Sequence, residues 1–368
     1  MSNLKISDER IRRATLRIGK ERARQRAAVV DEFLSKPLPE QAFGKPAGAA
    51  PPPIACVMAD GGRFQVLDRR QTVHNGEHWR ESRVATLLAM DSETHETDPT
   101  PELPEFLRDV SIARTLAEIG RVQGQNPSAE PRHPDKKPKD PPWPRPKILA
   151  KTMQASSVCW EEFGPMMASH AWHQGFDAAA LKVFVSDGSM AIEKVQRRHF
   201  SHYVSVLDLM HALSYCLAAA RASAADLAVS WTRYVRWATQ VWQGQVANVI
   251  KELDELQHRL GQPEEDATQD DPKEIIRRAR VYYTNHKSRM DYPDYRRQGF
   301  PLTSAVMESS VKQVNRRVKG TEKFWSTGGG EAILTLRADY LSDTKPMAGH
   351  WHAAQRDANG LREYRQTT

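Results

Sequence analysis

The chain has 368 residues, with 53 Lys and Arg against 46 Asp and Glu, giving a net charge of +7. That length suits one large domain with insertions or two ordinary domains, and the basic balance favours a polyanionic partner, nucleic acid before any other. No apolar run approaches the roughly 18 residues of a bilayer span, and Met1-Ser-Asn-Leu-Lys5 opens without an apolar signal core, so a cytoplasmic protein with no membrane partner is expected.

Residues 1–36 are basic and helix-forming, with Arg10, Arg12, Arg13, Arg17, Lys20, Arg22, Arg24 and Arg26 within a few turns. Such a segment reads equally as a solvated helix or as an arm that touches DNA. A Pro-, Ala- and Gly-rich linker follows over 37–53. Ordered chain begins at Ile54-Ala-Cys-Val-Met-Ala-Asp60-Gly61-Gly62, an apolar strand ending in an acid and a turn. With Arg63–Asp68 and His78–Met90 it predicts a three-stranded antiparallel meander. A short helical stretch over Pro104–Arg121 precedes a Pro-, Lys- and Asp-rich loop at 127–146, too poor in apolar residues to bury a core.

Glu161–Gly175 reads as a helix. Leu181-Lys-Val-Phe-Val-Ser-Asp187-Gly188 is a buried strand that again ends in Asp-Gly, and His202–Asp208 is a further short strand. Asp208 is placed to cap a helix over Leu209–Ala222. Residues 223–289 carry a helical pattern throughout, interrupted by an acidic break at Gln262–Pro272, and read as a helical insertion. Trp231, Trp237 and Trp242 in it are candidates for base stacking or, more simply, for its core. The three cysteines, Cys56, Cys159 and Cys216, lie far apart with no CxxC pair. That excludes a disulfide framework or zinc site and predicts three small buried hydrophobes.

Asp60 and Asp187 each close an apolar strand. If those strands are parallel neighbours, both carboxylates share the crevice at the strand ends where open α/β folds bind ligands. Glu308 is the candidate third acid. Its helix has Pro301 ahead of it, Thr303 or Ser304 at the cap and Gly320 at the stop. Met307, Val311, Val314 and Val318 form an apolar stripe, while Glu308, Lys312, Asn315 and Lys319 repeat that spacing one residue later, about 100° round the helix. Two Mg²⁺ ions about 4 Å apart would serve phosphodiester chemistry, and Mg²⁺ takes carboxylate, phosphate and water oxygens.

This order of elements resembles the DDE transposases of the RNase H-like, retroviral-integrase superfamily, and within it the bacterial insertion-sequence transposases of the Mutator-like branch. The resemblance is carried by Met58-Ala-Asp60-Gly-Gly-Arg63, Val185-Ser-Asp187-Gly188, Val206-Leu-Asp208-Leu-Met-His211-Ala212 and Met307-Glu308-Ser-Ser-Val-Lys312. The tail Phe324-Trp325-Ser326 through Glu331–Leu341 carries it too. It spans roughly residues 54–342. The N-terminal region is shorter than the helix-turn-helix segment usual in such proteins.

The resemblance implies an α/β, RNase H-like mixed sheet flanked by helices, with an all-helical insertion at 223–289 before the last catalytic helix. The core would run over 54–222 and 290–345, with a C-terminal tail at 346–368. Asp60, Asp187 and Glu308 would hold two Mg²⁺ ions, with Mn²⁺ as a substitute. His211 would belong to the catalytic set, and Asp208, Lys312, Asn315, Arg316 and Lys319 would contact DNA. The implied activity is cleavage and strand transfer at mobile-element ends, on double-stranded DNA, by a homodimer or larger assembly associated with the nucleoid. An RNase H-like resolvase or repair nuclease, or a non-catalytic DNA-binding protein derived from a transposase, are the alternatives.

Overall fold

The computed structural model describes residues 6–67, 78–120, 143–320 and 323–358. The loop expected at 127–146 lies, up to Pro142, outside the described residues. Two helices lead in, α1 (Asp8–Leu34) and α2 (Leu38–Phe43). Strand β1 (Ile54–Val66) follows, then β2 (Trp79–Asp91), the short helices α3 (Glu105–Arg108) and α4 (Ile112–Gly120), and β3 (Lys147–Ser156). Next come α5 (Trp160–His173), β4 (Leu181–Ser186), α6 (Met190–His199), β5 (Val204–Leu207) and α7 (Leu209–Ala222). The chain is then helical through α8 (Leu227–Trp242), α9 (Val246–Leu260), α10 (Pro272–His286), α11 (Tyr292–Arg297) and α12 (Ala305–Val318). It ends in the two-residue strand β6 (Phe324–Trp325), α13 (Thr327–Tyr340) and α14 (Pro346–Ala358).

The sheet runs in the order β3-β2-β1-β4-β5, with β6 beside the far end of β1. β1, β2 and β3 are antiparallel neighbours, whereas β4 and β5 run parallel to β1. The protein is therefore an α/β fold with a mixed sheet flanked by helices. One expectation fails here. The chain does not turn at Gly61-Gly62, and β1 runs straight through them, paired to β2 from Ile54 to Gln65. A Cβ at Gly62 would lie 2.8 Å from both Asn315 Oδ1 and Ser82 Oγ. The glycine thus admits the close approach of α12 to the strand, rather than a turn. The third strand of the antiparallel run is β3, which the sequence pattern did not reveal.

Side-chain alternation divides the sheet into two cores. Ile54, Cys56 and Met58 share one face with Val84, Leu88, Val183, Val185 and Val206, under α7, α12, α13 and the helices of 223–289. Ala55, Val57 and Ala59 share the other with Ala85, Leu87 and Phe184, under α5, α6 and Phe33 of α1. Trp237 and Trp242 are fully buried and Trp231 packs against the same cluster beside Tyr234, so these rings build the helical core. Cys56 and Cys216 are buried as expected, but Cys159, just ahead of α5, is exposed.

Part of the basic N-terminal segment is spent on docking. Arg22 Nε and Arg26 Nη2 each lie 2.8 Å from the buried Asp339 carboxylate of α13. At the same crossing a Cβ on Gly19 would lie 2.5 Å from the Ala332 carbonyl oxygen. Arg12 and Arg13 instead bracket Glu9 at the exposed start of α1.

Candidate functional site

The register of the parallel strands decides where the first two acids fall. Met58 of β1 pairs with Val185 of β4. Asp60 lies two residues further on within β1, so alternation puts it on the face carrying Met58; Asp187 lies two residues beyond Val185, just past the end of β4, where its charge acts on His211. Asp60 lies within β1, and Asp187 follows the last residue of β4. Both are half-buried. Asp60 Oδ1 accepts the Gly61 N–H at 2.6 Å, and Asp187 Oδ1 accepts the Ser189 N–H at 2.8 Å ahead of α6.

Helix α12 covers this face. Met307, Val311, Val314 and Val318 are all buried, so the predicted stripe is the packed one. Asn315 sits over Gly62 of β1, and Glu308 lies two turns earlier on the same side of the helix. Glu308 Oε2 is 3.6 Å from Lys312 Nζ, with the lysine 79% exposed. Lys312, Arg316 and Lys319 all face solvent, and Lys319 Nζ lies 5.6 Å from the centre of the Trp79 ring.

Asp208, expected among the DNA contacts, has a different place. It is 1% exposed. Its Oδ1 accepts the His211 N–H at 2.8 Å, capping α7, while Oδ2 accepts the Ser304 N–H at the start of α12. Its own N–H donates to Ser186 O at 2.8 Å, and Leu209 N–H donates to Leu302 O at 2.9 Å. Asp208 therefore ties together the end of β4, the start of α7 and the start of α12. Ser304 is the N-cap residue of α12 but makes no side-chain capping bond; the Asp208 carboxylate takes up one orphan donor there. These bonds hold its carboxyl below the ordinary range against the opposing effect of burial.

His211 stands beside this brace, with Nδ1 3.2 Å from Asp208 Oδ1, at ion-pair range but off the line of a hydrogen bond. Burial opposes its charge. The Asp208 contact and the fields of Asp208, Asp187 and Glu308 outweigh burial and raise its pKa to about 9. Acids from β4 and from α12 thus act on one imidazole. Among the described residues, no three His, Cys, Asp or Glu side chains are drawn close enough to hold a metal ion. Asp60, Asp187 and Glu308 do not converge on a point.

Sequence reasoning passed over the groups that back Asp187. Tyr282 of α10 donates its hydroxyl to the Asp187 carbonyl at 2.9 Å. Arg289, in the 3-10 turn after α10, is buried and donates to Ser186 Oγ at 2.6 Å. Gly188 has φ +92°, and a Cβ there would meet His286 Nε2 at 3.0 Å, so both conformation and space call for glycine. These residues come from one long helical pattern, and nothing in that pattern marks which turn meets β4.

No protein-family model matches the chain, and no curated protein matches it.

Proposed function

We propose that this protein is a metal-dependent polynucleotidyl transferase, a DNA transposase with an RNase H-like core related to bacterial insertion-sequence enzymes. One observation carries the reading. Asp60 and Asp187 each lie two residues beyond the paired Met58 and Val185 of neighbouring parallel strands, near the helix that bears Glu308. The mixed sheet is compatible with an RNase H-like fold.

Three carboxylates, Asp60 of β1, Asp187 after β4 and Glu308 of α12, are the hard oxygen donors that a divalent cation takes. Glu308 is easily redirected, because its partner Lys312 is exposed and such pairs contribute little. Bound there, two Mg²⁺ ions, or Mn²⁺ in their place, would activate the attacking oxygen and steady the leaving one. The chain's own groups do the rest. Asp208 holds the start of α12 against α7, fixing where Glu308 stands. His211, charged below about pH 9, offers a proton donor and a counter-charge beside the acids. Arg316, Lys319 and Lys312 line the exposed side of α12, where a phosphate backbone would release counterions on binding. Synapsis of two element ends implies a dimer or larger assembly.

Supercoiled donor DNA carrying the sequences that flank the gene, incubated with Mg²⁺ or Mn²⁺, tests the reading. Wild type is expected to cleave at the ends and join them to a new target, while Asp60→Asn, Asp187→Asn and Glu308→Gln each stop both steps. Cleavage without joining would indicate an RNase H-like resolvase or repair nuclease. Salt-sensitive binding that ignores the metal and survives loss of all three acids would indicate a non-catalytic DNA-binding protein.

A further inference from the structure

Beyond Asp60, Trp160 of α5 covers the second face as far as Glu81, which pairs with Arg63. The last part of β1 is flanked there by β2 on one side and β6 on the other, with Gln65 paired to Trp79 and to Phe324. Residues directly paired across strands point to the same face, so Trp79, Gln65 and Phe324 form one row across three strands. Alternation from Ala55, Val57 and Ala59 puts that row on the face covered lower down by α5 and α6. Trp79 is 41% exposed and Phe324 is 45% exposed. The neighbouring row, Arg63 and Glu81, completes the surface.

Its charge is positive. Arg63, Lys319 and Lys323 are exposed at this end, with Arg316 and Arg317 in the last turn of α12. The acid on this face, Glu81, is already matched by Arg83 Nη2 at 2.9 Å and receives the Trp160 indole N–H at 3.3 Å. Lys319 Nζ over the Trp79 ring sets a cation beside an aromatic face. Exposed rings spaced across strands and interleaved with lysine and arginine are what unpaired bases and their phosphates need. A purely duplex partner would leave the rings unused, and an apolar protein partner would leave the cations unmatched.

We infer that the Trp79–Gln65–Phe324 row, with Arg63 and Lys319, is a stacking platform for single-stranded DNA at the end of the sheet beyond Asp60, on the face opposite the acids. This inference rests on the proposed nucleic-acid function. Gln65 is five residues beyond Asp60, about 17 Å along an extended strand, and alternation sets it on the opposite face.

The test is anisotropy of labelled DNA on the full chain in EDTA, so that no cleavage intervenes. The probes are a 12-nucleotide single strand, a blunt duplex and a duplex with a five-nucleotide overhang. Trp79→Ala with Phe324→Ala is expected to weaken the single strand and the overhang at least about tenfold, and the blunt duplex less than about threefold. Trp79→Phe is expected to restore most of the loss, and Lys319→Ala to reduce the salt slope by roughly one. An unchanged melting temperature shows that the variants remain folded. Equal single-strand affinity in wild type and the double variant overturns the inference, as does a loss equal for all three probes. If the double variant binds DNA normally but loses self-association, the row is a protein interface and the inference is again wrong. If wild type binds none of the probes, the proposed function itself falls.

Discussion

Strands β4 and β5 lie side by side, and each is followed by an aspartate and then a helix, yet the two carboxylates have opposite surroundings. Asp208, after β5, is buried with both oxygens engaged by backbone N–H groups of α7 and α12. Asp187, after β4, is half-buried, and the groups that back it meet its carbonyl and Ser186. The same local signature therefore gives a brace in one place and a candidate ligand in the other. What separates them is distant chain: the segment Leu302–Ser304 returns onto Asp208, whereas α10 closes on Asp187 from behind.

That contrast makes predictions of unequal size. Asp187→Asn is expected to lower end cleavage at least about 1,000-fold, roughly 4 kcal/mol on the barrier. Its melting temperature should move by no more than a few degrees, because asparagine can still accept the Ser189 N–H. Cleavage rates and thermal melts on one preparation check both halves.

Asp208→Ala is expected to show the reverse emphasis. It strands two backbone donors, each costing about 1–3 kcal/mol when buried, and should lower the melting temperature by roughly 5–10 °C. A variant that melts like wild type would mean that the brace holds nothing.

His211 senses both aspartates. Its folded pKa of about 9 is above the ordinary value near 6.5. Its charged form thus stabilises the fold fully below about pH 6.5, and that contribution fades as pH rises through 9. The stability gap between wild type and His211→Gln should therefore shrink by up to roughly 3 kcal/mol from pH 6 to pH 10. NMR titration of the imidazole should show its pKa lowered by Asp208→Asn and, by less, through Asp187→Asn or Glu308→Gln. The smallest effect is expected at Lys312: its exposed pair with Glu308 should leave Lys312→Ala within about 0.5 kcal/mol of wild type.

Much of this was legible from local pattern. The apolar run Leu181–Ser186, the capped helix from Leu209 and the stripe Met307-Val311-Val314-Val318 each bury the face that their spacing foretold. Long-range contacts hid the rest. Gly61-Gly62 carries turn chemistry, but the approach of Asn315 from 253 residues later keeps the strand extended. β3 opens with Lys147, Ile148 and Leu149, all exposed, so its alternation is blurred at the start. The pairing of Asp208 with Ser304 spans 96 residues, and no local window contains it. Cys159 stays exposed because it lies at the start of α5, outside the packed stripe of either core.

If Asp60, Asp187 and Glu308 form one metal site, electron paramagnetic resonance of Mn²⁺ titrated into the protein with duplex DNA present will show it. Wild type should bind two ions. Asp187→Asn and Glu308→Gln should each weaken that binding, and Lys312→Ala should leave it unchanged. Full Mn²⁺ binding by Glu308→Gln would contradict the claim by removing α12 from the site.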